Sequence, residues 1–270
     1  MDILSGSKCG YIERKSLLNK SKVEYTDYCI NHVEGCAHAC TYCYAFKMWR
    51  RYRKGRTYEQ WKNPRIVSNA MDLLIKEIPK RKHKVKWVHL CFMTDPFMYG
   101  YSEICDLSIR IIQLINNSGI YCTTLTKGVY PKNLCEITGL NNLNEYGITV
   151  VSLDENFRKQ YEPNSAPVEQ RLSSLKHLHD SGYKTWVSIE PYPTPNILQQ
   201  DIGELLHTVS FVDKIIFGKM NYVRQATQFK GRKEFNNDMT KTVVAFCESK
   251  GIAYHIKKGT QTCAIKSGVE

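Results

Sequence analysis

The sequence predicts an α/β protein: a partial (β/α)6 TIM-type barrel, with parallel strands inside and helices outside. Three observations carry this. Short apolar runs alternate with amphipathic helical runs, several of the helical runs end at a glycine, and the residues just after each apolar run are polar. Strands separated by helices pair in parallel, because each crossover returns the chain to the same end of the sheet. A flat doubly wound sheet is the structural rival, and both architectures bind ligands at the C-terminal ends of their strands.

The elements follow in order. A first strand falls near 25–33, and "VKWVHLCF" (85–92) reads as a second. The run 102–119 reads as a helix capped by Ser102, with Ile104, Leu107, Ile111 and Leu114 on one face and Gly119 as its stop. "IYCTTLT" (120–126) precedes a helix near 131–140. "YGITVVS" (146–152) precedes one near 167–181, with Leu172, Leu175 and Leu178 inward. "KTWVSIE" (184–190) precedes a helix near 196–208, and "VDKIIFG" (212–218) one near 237–250, capped by Asn236 or Asn237 and ended by Gly251. "IAYHI" supplies a last strand. The strand ends offer Thr94 and Asp95, Thr126 and Lys127, Ser152, Glu190, Lys219 and Asn221, and Lys257. Singly each suits a cap or a solvated loop; together they mark one rim.

The whole chain reads as a single domain over 1–270, with a core at about 25–257, a basic aromatic insertion at about 44–65 and a C-terminal extension at 258–270. No apolar run is long enough to cross a bilayer, and "MDILSGSKCG" lacks the basic-then-apolar order of an export signal, so a cytoplasmic location without membrane contact is expected. The 11 cysteines are odd in number and unevenly spaced, which fits reduced thiols better than a disulfide framework. Cys105, Cys122, Cys135 and Cys247 lie in apolar segments and read as small hydrophobes.

The net charge of +12 is concentrated in 47–56 and 80–86, a pattern that attracts polyanions. The two clusters are expected to share one binding face. In the first, Arg50, Arg51, Arg53, Lys54 and Arg56 are candidates for phosphate contact, and Trp49, Tyr52, Tyr58 and Trp61 for stacking on unpaired bases. The plainer reading makes Phe46 and Trp49 pins that hold this segment to the barrel and the arginines its solvated face. A third basic stretch, 218–238, carries Arg224, Lys230, Arg232 and Lys233 in what reads as a long loop.

Cys36, Cys40 and Cys43 have the spacing C-x3-C-x2-C, which aims three soft thiolates at one centre and selects zinc, copper or an iron-sulfur cluster. A structural zinc site needs a fourth ligand, for which His38, His32 and Cys29 are available. Three ligands without a clear fourth suit a cluster iron left open for a substrate or cofactor.

This motif after the first strand, with Tyr42 and Tyr44 around its third cysteine, resembles the radical S-adenosylmethionine (SAM) superfamily. The blocks "CTYCYAF", "MTDPF", "TLTKGVYPKNL", "TVVSLDE" and "YEPNSAPVEQRLSSLKHLHDSGYKTWVSIEPY" look like those of its spore photoproduct lyase-like branch. The resemblance implies an enzyme in which Cys36, Cys40 and Cys43 hold a [4Fe-4S] cluster whose fourth iron binds SAM. Reductive cleavage then yields a 5′-deoxyadenosyl radical that takes hydrogen from a substrate. It implies Tyr42 and Tyr44 beside the cluster and adenosine, Thr94 and Asp95 toward the methionyl and ribose end, Lys127 on the SAM carboxylate, Ser152 on the ribose, and Ser188 or Glu190 in the same pocket. It also implies an electron donor of flavodoxin or ferredoxin type. In photoproduct lyase a cysteine just ahead of the threonine/serine-aspartate pair donates hydrogen; here Phe92 stands at that position and Cys91 one residue earlier, on the opposite face of a strand. The substrate readings are a DNA or RNA, favoured by the charge, then a peptide or small metabolite, and, in another class, a non-catalytic zinc-bearing nucleic-acid-binding module.

Overall fold

The computed structural model describes residues 8–24, 26–52 and 54–262. Its elements are β1 (Gly10–Ile12), β2 (Leu18–Lys20), β3 (Tyr28–Ile30), β4 (Val33–Glu34), α1 (Tyr44–Arg51), α2 (Tyr58–Lys62), β5 (Arg65–Val67), α3 (Ala70–Arg81) and β6 (Trp87–Leu90). They continue with α4 (Ser102–Asn117), β7 (Tyr121–Thr126), β8 (Glu145–Thr149), α5 (Glu155–Tyr161), α6 (Val168–Asp180), β9 (Lys184–Tyr192), α7 (Ile202–Thr208), β10 (Lys214–Lys219), α8 (Arg224–Thr227), α9 (Arg232–Lys250) and β11 (Ala253–Ile256).

Eight strands form one sheet in the order β11-β10-β9-β8-β7-β6-β3-β2. Every neighbouring pair is parallel except β2 with β3. This is the expected partial barrel with a further parallel strand, β11, at one edge and an antiparallel strand, β2, at the other. The two edges are joined by side chains: Glu24, in the turn after β2, accepts from His255 Nε2 at 2.7 Å and from the Lys258 backbone N–H at 3.4 Å, and pairs with Lys257 at 3.8 Å. A small sheet ordered β1-β5-β4 lies outside the barrel and was not anticipated.

The outward faces of the strands make the core. Val88 and Leu90 of β6, Ile148 of β8, Val187 and Ile189 of β9, and Ile215 and Phe217 of β10 are fully buried in one cluster with Ile111, Ile112 and Ile115 of α4 and Leu175 and Leu178 of α6. At about 25 cal/mol per Å2 of apolar surface, burying such side chains is the main favourable contribution to folding.

Several boundaries differ from expectation for local reasons. Ser102 is the first helical residue of α4 and Tyr101 its cap, without a side-chain hydrogen bond. The run near 131–140 makes only a 3-10 turn, Lys132–Glu136, with no side-chain cap at its start. The α7 helix starts at Ile202, where Asp201 caps it by accepting from the Gly203 N–H at 2.7 Å. The α9 helix starts at Arg232, so Asn236 is buried inside it rather than capping it. The stretch 218–238 is therefore not one long loop but holds α8 and the first turns of α9.

Candidate active site

The three cysteines lie between β4 and α1, where the chain leaves the C-terminal end of β3. The loop is held from several sides. Gly35 has φ +86°, and a Cβ there would stand 2.6 Å from the Trp61 carbonyl oxygen, which itself accepts the Cys36 N–H at 2.8 Å. The Thr94 hydroxyl donates to the Gly35 carbonyl. Asn164 donates to the Ala37 carbonyl at 2.9 Å, and Thr41 donates its N–H to the Tyr161 carbonyl at 2.9 Å. Cys43 caps α1, its Sγ accepting the Phe46 N–H at 3.5 Å.

The sulfurs are within electrostatic reach of one another. Burial pushes the Cys36 thiol far above its ordinary pKa, and the charges of Asp95, Cys40 and Cys43 push it further. Burial also raises Cys40, with the Lys127 ammonium opposing the shift, and raises Cys43. Binding to a metal would have to displace these protons, which soft metal centres do. Among the described residues, no three His, Cys, Asp or Glu side chains converge closely enough for a single metal ion.

The residues available as a fourth zinc ligand are engaged elsewhere. His38 Nε2 accepts the Tyr99 N–H at 2.9 Å while its Nδ1–H faces the Asp95 carboxylate at 3.3 Å, so both ring nitrogens are used. His32 Nε2 meets Ser108 Oγ at 2.8 Å and its Nδ1 meets Cys91 Sγ at 3.4 Å, and burial depresses its pKa to about 3. Cys29 Sγ accepts from Asn31 at 3.5 Å.

Asp95 is a crosslink. One oxygen accepts from the Thr126 hydroxyl at 2.6 Å and the Phe97 N–H at 2.9 Å; the other accepts the Lys127 N–H at 2.7 Å and faces His38. Four donors match the capacity of a carboxylate. Burial opposes its charge, but His38, Thr126 and Lys127 hold its pKa below the ordinary value. Asp95 thus joins the cysteine loop to the end of β7.

Lys127 places its Nζ 5.5 Å from the centroid of the Tyr42 ring. Burial works against its charge, yet Cys40 and Glu162 raise its pKa. The Tyr42 hydroxyl donates to Glu162, whose carboxylate accepts from Arg171 at 2.6 Å. Arg171 also donates to the carbonyls of Ala166 at 2.8 Å and Thr149 at 2.9 Å and to Ser165 Oγ. Glu162 and Arg171 are 2% and 1% exposed, so this is a buried ion pair with its hydrogen bonds filled. Sequence reasoning missed both. The signal was Arg171 at positions i, i+4, i+7 with Leu175 and Leu178, an arginine on the apolar face of α6.

The structure thus brings together Cys36, Cys40, Cys43, Tyr42, Thr94, Asp95 and Lys127. Glu190, on β9, is within reach of Lys127, with burial raising its pKa and Lys257 opposing. Ser152 is buried and its hydroxyl accepts the Asp154 N–H at 3.0 Å, a turn role. Ser188 stands on β9 opposite Thr149 and Ile216. Tyr44 is exposed, and its hydroxyl donates to the Phe92 carbonyl. The strand β6 ends at Leu90 because Cys91 takes φ 64°. That turn buries the Cys91 thiol against His32 and stacks Phe92 on His89, 4.1 Å between ring centroids.

The basic segment is two helices. Ala45 and Trp49 of α1 and Trp61 of α2 are buried together with Phe46 and Tyr58 packed against them, so Phe46, Trp49 and Trp61 are pins. The Arg56 guanidinium stacks 4.2 Å from the Trp49 ring centroid and donates to the Trp49 carbonyl at 2.7 Å, which makes it part of the same brace. Arg50, Arg51 and Lys54 are exposed; Arg53 lies outside the described residues. The expected shared face with 80–86 is not formed: those residues precede β6 and lie at the N-terminal ends of the parallel strands, whereas α1 follows the C-terminal end of β3.

Comparison with known proteins agrees with this geometry. The family model described as Radical SAM superfamily matches residues 30–209. The chain is 24% identical over 236 residues to the uncharacterized protein ORF301 of Acidianus two-tailed virus, covering 79% of this chain and 77% of that one. It is 27% identical over 227 residues to the uncharacterized protein MJ0683 of Methanocaldococcus jannaschii, covering 83% and 82%. A spore photoproduct lyase variant with bound AdoMet and dinucleoside spore photoproduct superposes with a TM-score of 0.68 at 14% identity, over 91% of this chain and 80% of that one. With the family model spanning residues 30–209, the chain belongs to the radical SAM superfamily, whose enzymes use a [4Fe-4S] cluster and S-adenosylmethionine.

Proposed function

We propose that this radical SAM enzyme holds its cluster on Cys36, Cys40 and Cys43 and acts on a nucleic acid or nucleotide-like substrate within a single domain. The donor set suits the group: three soft thiols lie on one short loop within electrostatic reach of one another, and the Lys127 ammonium stands near Cys40 and Cys43. When bound, the cluster and SAM supply reductive cleavage of the sulfonium and abstraction of hydrogen from the substrate.

The chain's own residues supply position. Lys127 offers its ammonium to the SAM carboxylate, and the Tyr42 ring, fixed by Glu162, offers a flat wall beside it. Asp95 acts by holding Lys127 and the cysteine loop in register, and Thr94 by holding Gly35. Replacing Lys127 by Ala is expected to weaken SAM binding at least about ten-fold, the order of one charge-assisted hydrogen bond, with iron and sulfide content unchanged. Equilibrium dialysis against labelled SAM reads it, and unaltered affinity removes Lys127 from the SAM site.

The observation that carries the substrate class is the exposed charge of Arg50, Arg51 and Lys54 on and just after a helix that begins at Cys43. The spore photoproduct lyase that shares the fold binds a dinucleoside, which supports the same class. The test is incubation with SAM, a reductant and deuterated oligonucleotides, followed by mass spectrometry of 5′-deoxyadenosine. Deuterium from the oligonucleotide is expected; label arriving only from a peptide or small metabolite overturns the substrate class.

A further inference from the structure

Four of the exposed large apolar side chains gather at one place: Tyr44, Met48, Tyr52 and Tyr222. Tyr44, Met48 and Tyr52 recur at every fourth position and so share one face of α1, with Arg51 on the same face. This row begins one residue after Cys43 and runs outward for about 12 Å. Tyr222, between β10 and α8, is 55% exposed and meets α1 through Lys47. Lys47 joins the two, donating to the Tyr222 carbonyl and lying 5.4 Å from its ring centroid. Tyr222 also takes φ 65°, a left-handed backbone unfavourable for a bulky residue. Strain that presents a ring to solvent, instead of burying it, marks a residue kept for a ligand.

Charge selects the occupant. The α1 helix carries Lys47, Arg50 and Arg51 and no acidic residue, and Lys54 follows. An apolar peptide would strip water from those cations without replacing it. A duplex would present phosphates but keep its base faces stacked inside, leaving the rings without partners. An unpaired strand satisfies both, with phosphates on the cations and base faces on the tyrosines.

We infer that this face of α1, with Tyr222 opposite, is a docking track that leads an unpaired stretch of DNA or RNA to the cysteine loop. The inference rests on the nucleic-acid reading above and narrows it. Anisotropy titrations of the reconstituted, SAM-loaded protein with fluorescein-labelled single strands, DNA and RNA, and with the matching DNA duplex test it. Single strands are expected to bind about ten-fold more tightly than duplex. Tyr52→Ala and Tyr222→Ala are each expected to weaken single-strand binding roughly ten-fold, and Tyr52→Phe, which keeps the ring, to restore it. Arg51→Ala should reduce the slope of log K against log salt by about 0.7. Duplex binding as tight as single-strand binding, or ring removal without effect, overturns the track and leaves the nucleic-acid reading standing. Absence of salt-dependent binding to every oligonucleotide overturns both.

Discussion

Replacing Cys40 by Ala is expected to reduce release of 5′-deoxyadenosine from SAM to background and to strip most iron from the reconstituted protein. Cys40 is half-buried near Lys127 and Cys43, and the loop that carries it is tied down through Thr41, Ala37 and Gly35. A loop this constrained leaves no other thiol free to swing into the missing position. The informative control is Cys91→Ala. Its thiol lies against His32, behind the left-handed turn that ends β6, so iron content and SAM cleavage should persist. Iron and sulfide analysis with chromatography of the nucleoside product distinguishes the two. A Cys40 variant that keeps its full cluster and activity would mean that the ligand set is misassigned.

Arg171→Ala is expected to destabilise the fold by about 3–5 kcal/mol, because it leaves the Glu162 carboxylate buried without its partner. The loss should appear as a lowered denaturation midpoint in urea. Removing both charges, Glu162→Gln with Arg171→Met, should recover much of it, since no unpaired ion then remains in the interior. The pH dependence has a definite sign. Burial would raise the Glu162 pKa, but Arg171 and Lys127 hold it below the ordinary value. Its contribution is therefore complete above the unfolded value of about 4.3 and fades as pH falls through the lower folded value. The gap between the native chain and Arg171→Ala should narrow as pH falls, beginning above the ordinary value of about 4.3, where burial makes the stranded carboxylate of the variant take up a proton, and continuing as the native carboxylate is protonated below it. A gap that widens in acid would show that the ion pair does not govern the loss.

Much of the barrel was legible because its signals are local. The apolar runs of β6 to β10 and the stops at Gly119, Gly182 and Gly251 depend on neighbours in sequence, as does the spacing of Cys36, Cys40 and Cys43. Features that depend on distant partners were not legible. Asp95 reads as a ligand-facing carboxylate until His38, Phe97, Thr126 and Lys127 are seen to occupy it. Arg171 falls on the apolar face of α6 by its spacing, but its partner Glu162 lies before the helix and is not marked by any local pattern. The two basic clusters look alike in composition, and only the direction of the strands separates them to opposite rims. Arg56 and Trp49, both plausible nucleic-acid contacts by type, face each other instead.

The join at Glu24 gives the molecule a preferred direction of compliance. Parting any two neighbouring staves of the sheet breaks a ladder of backbone bonds, whereas the contacts described at Glu24 are partly exposed ionic pairs, each worth about 1 kcal/mol or less, and one backbone N–H bond from Lys258. Added salt, which screens a carboxylate's hold on cations, should therefore widen the cup sideways well before the walls themselves give way.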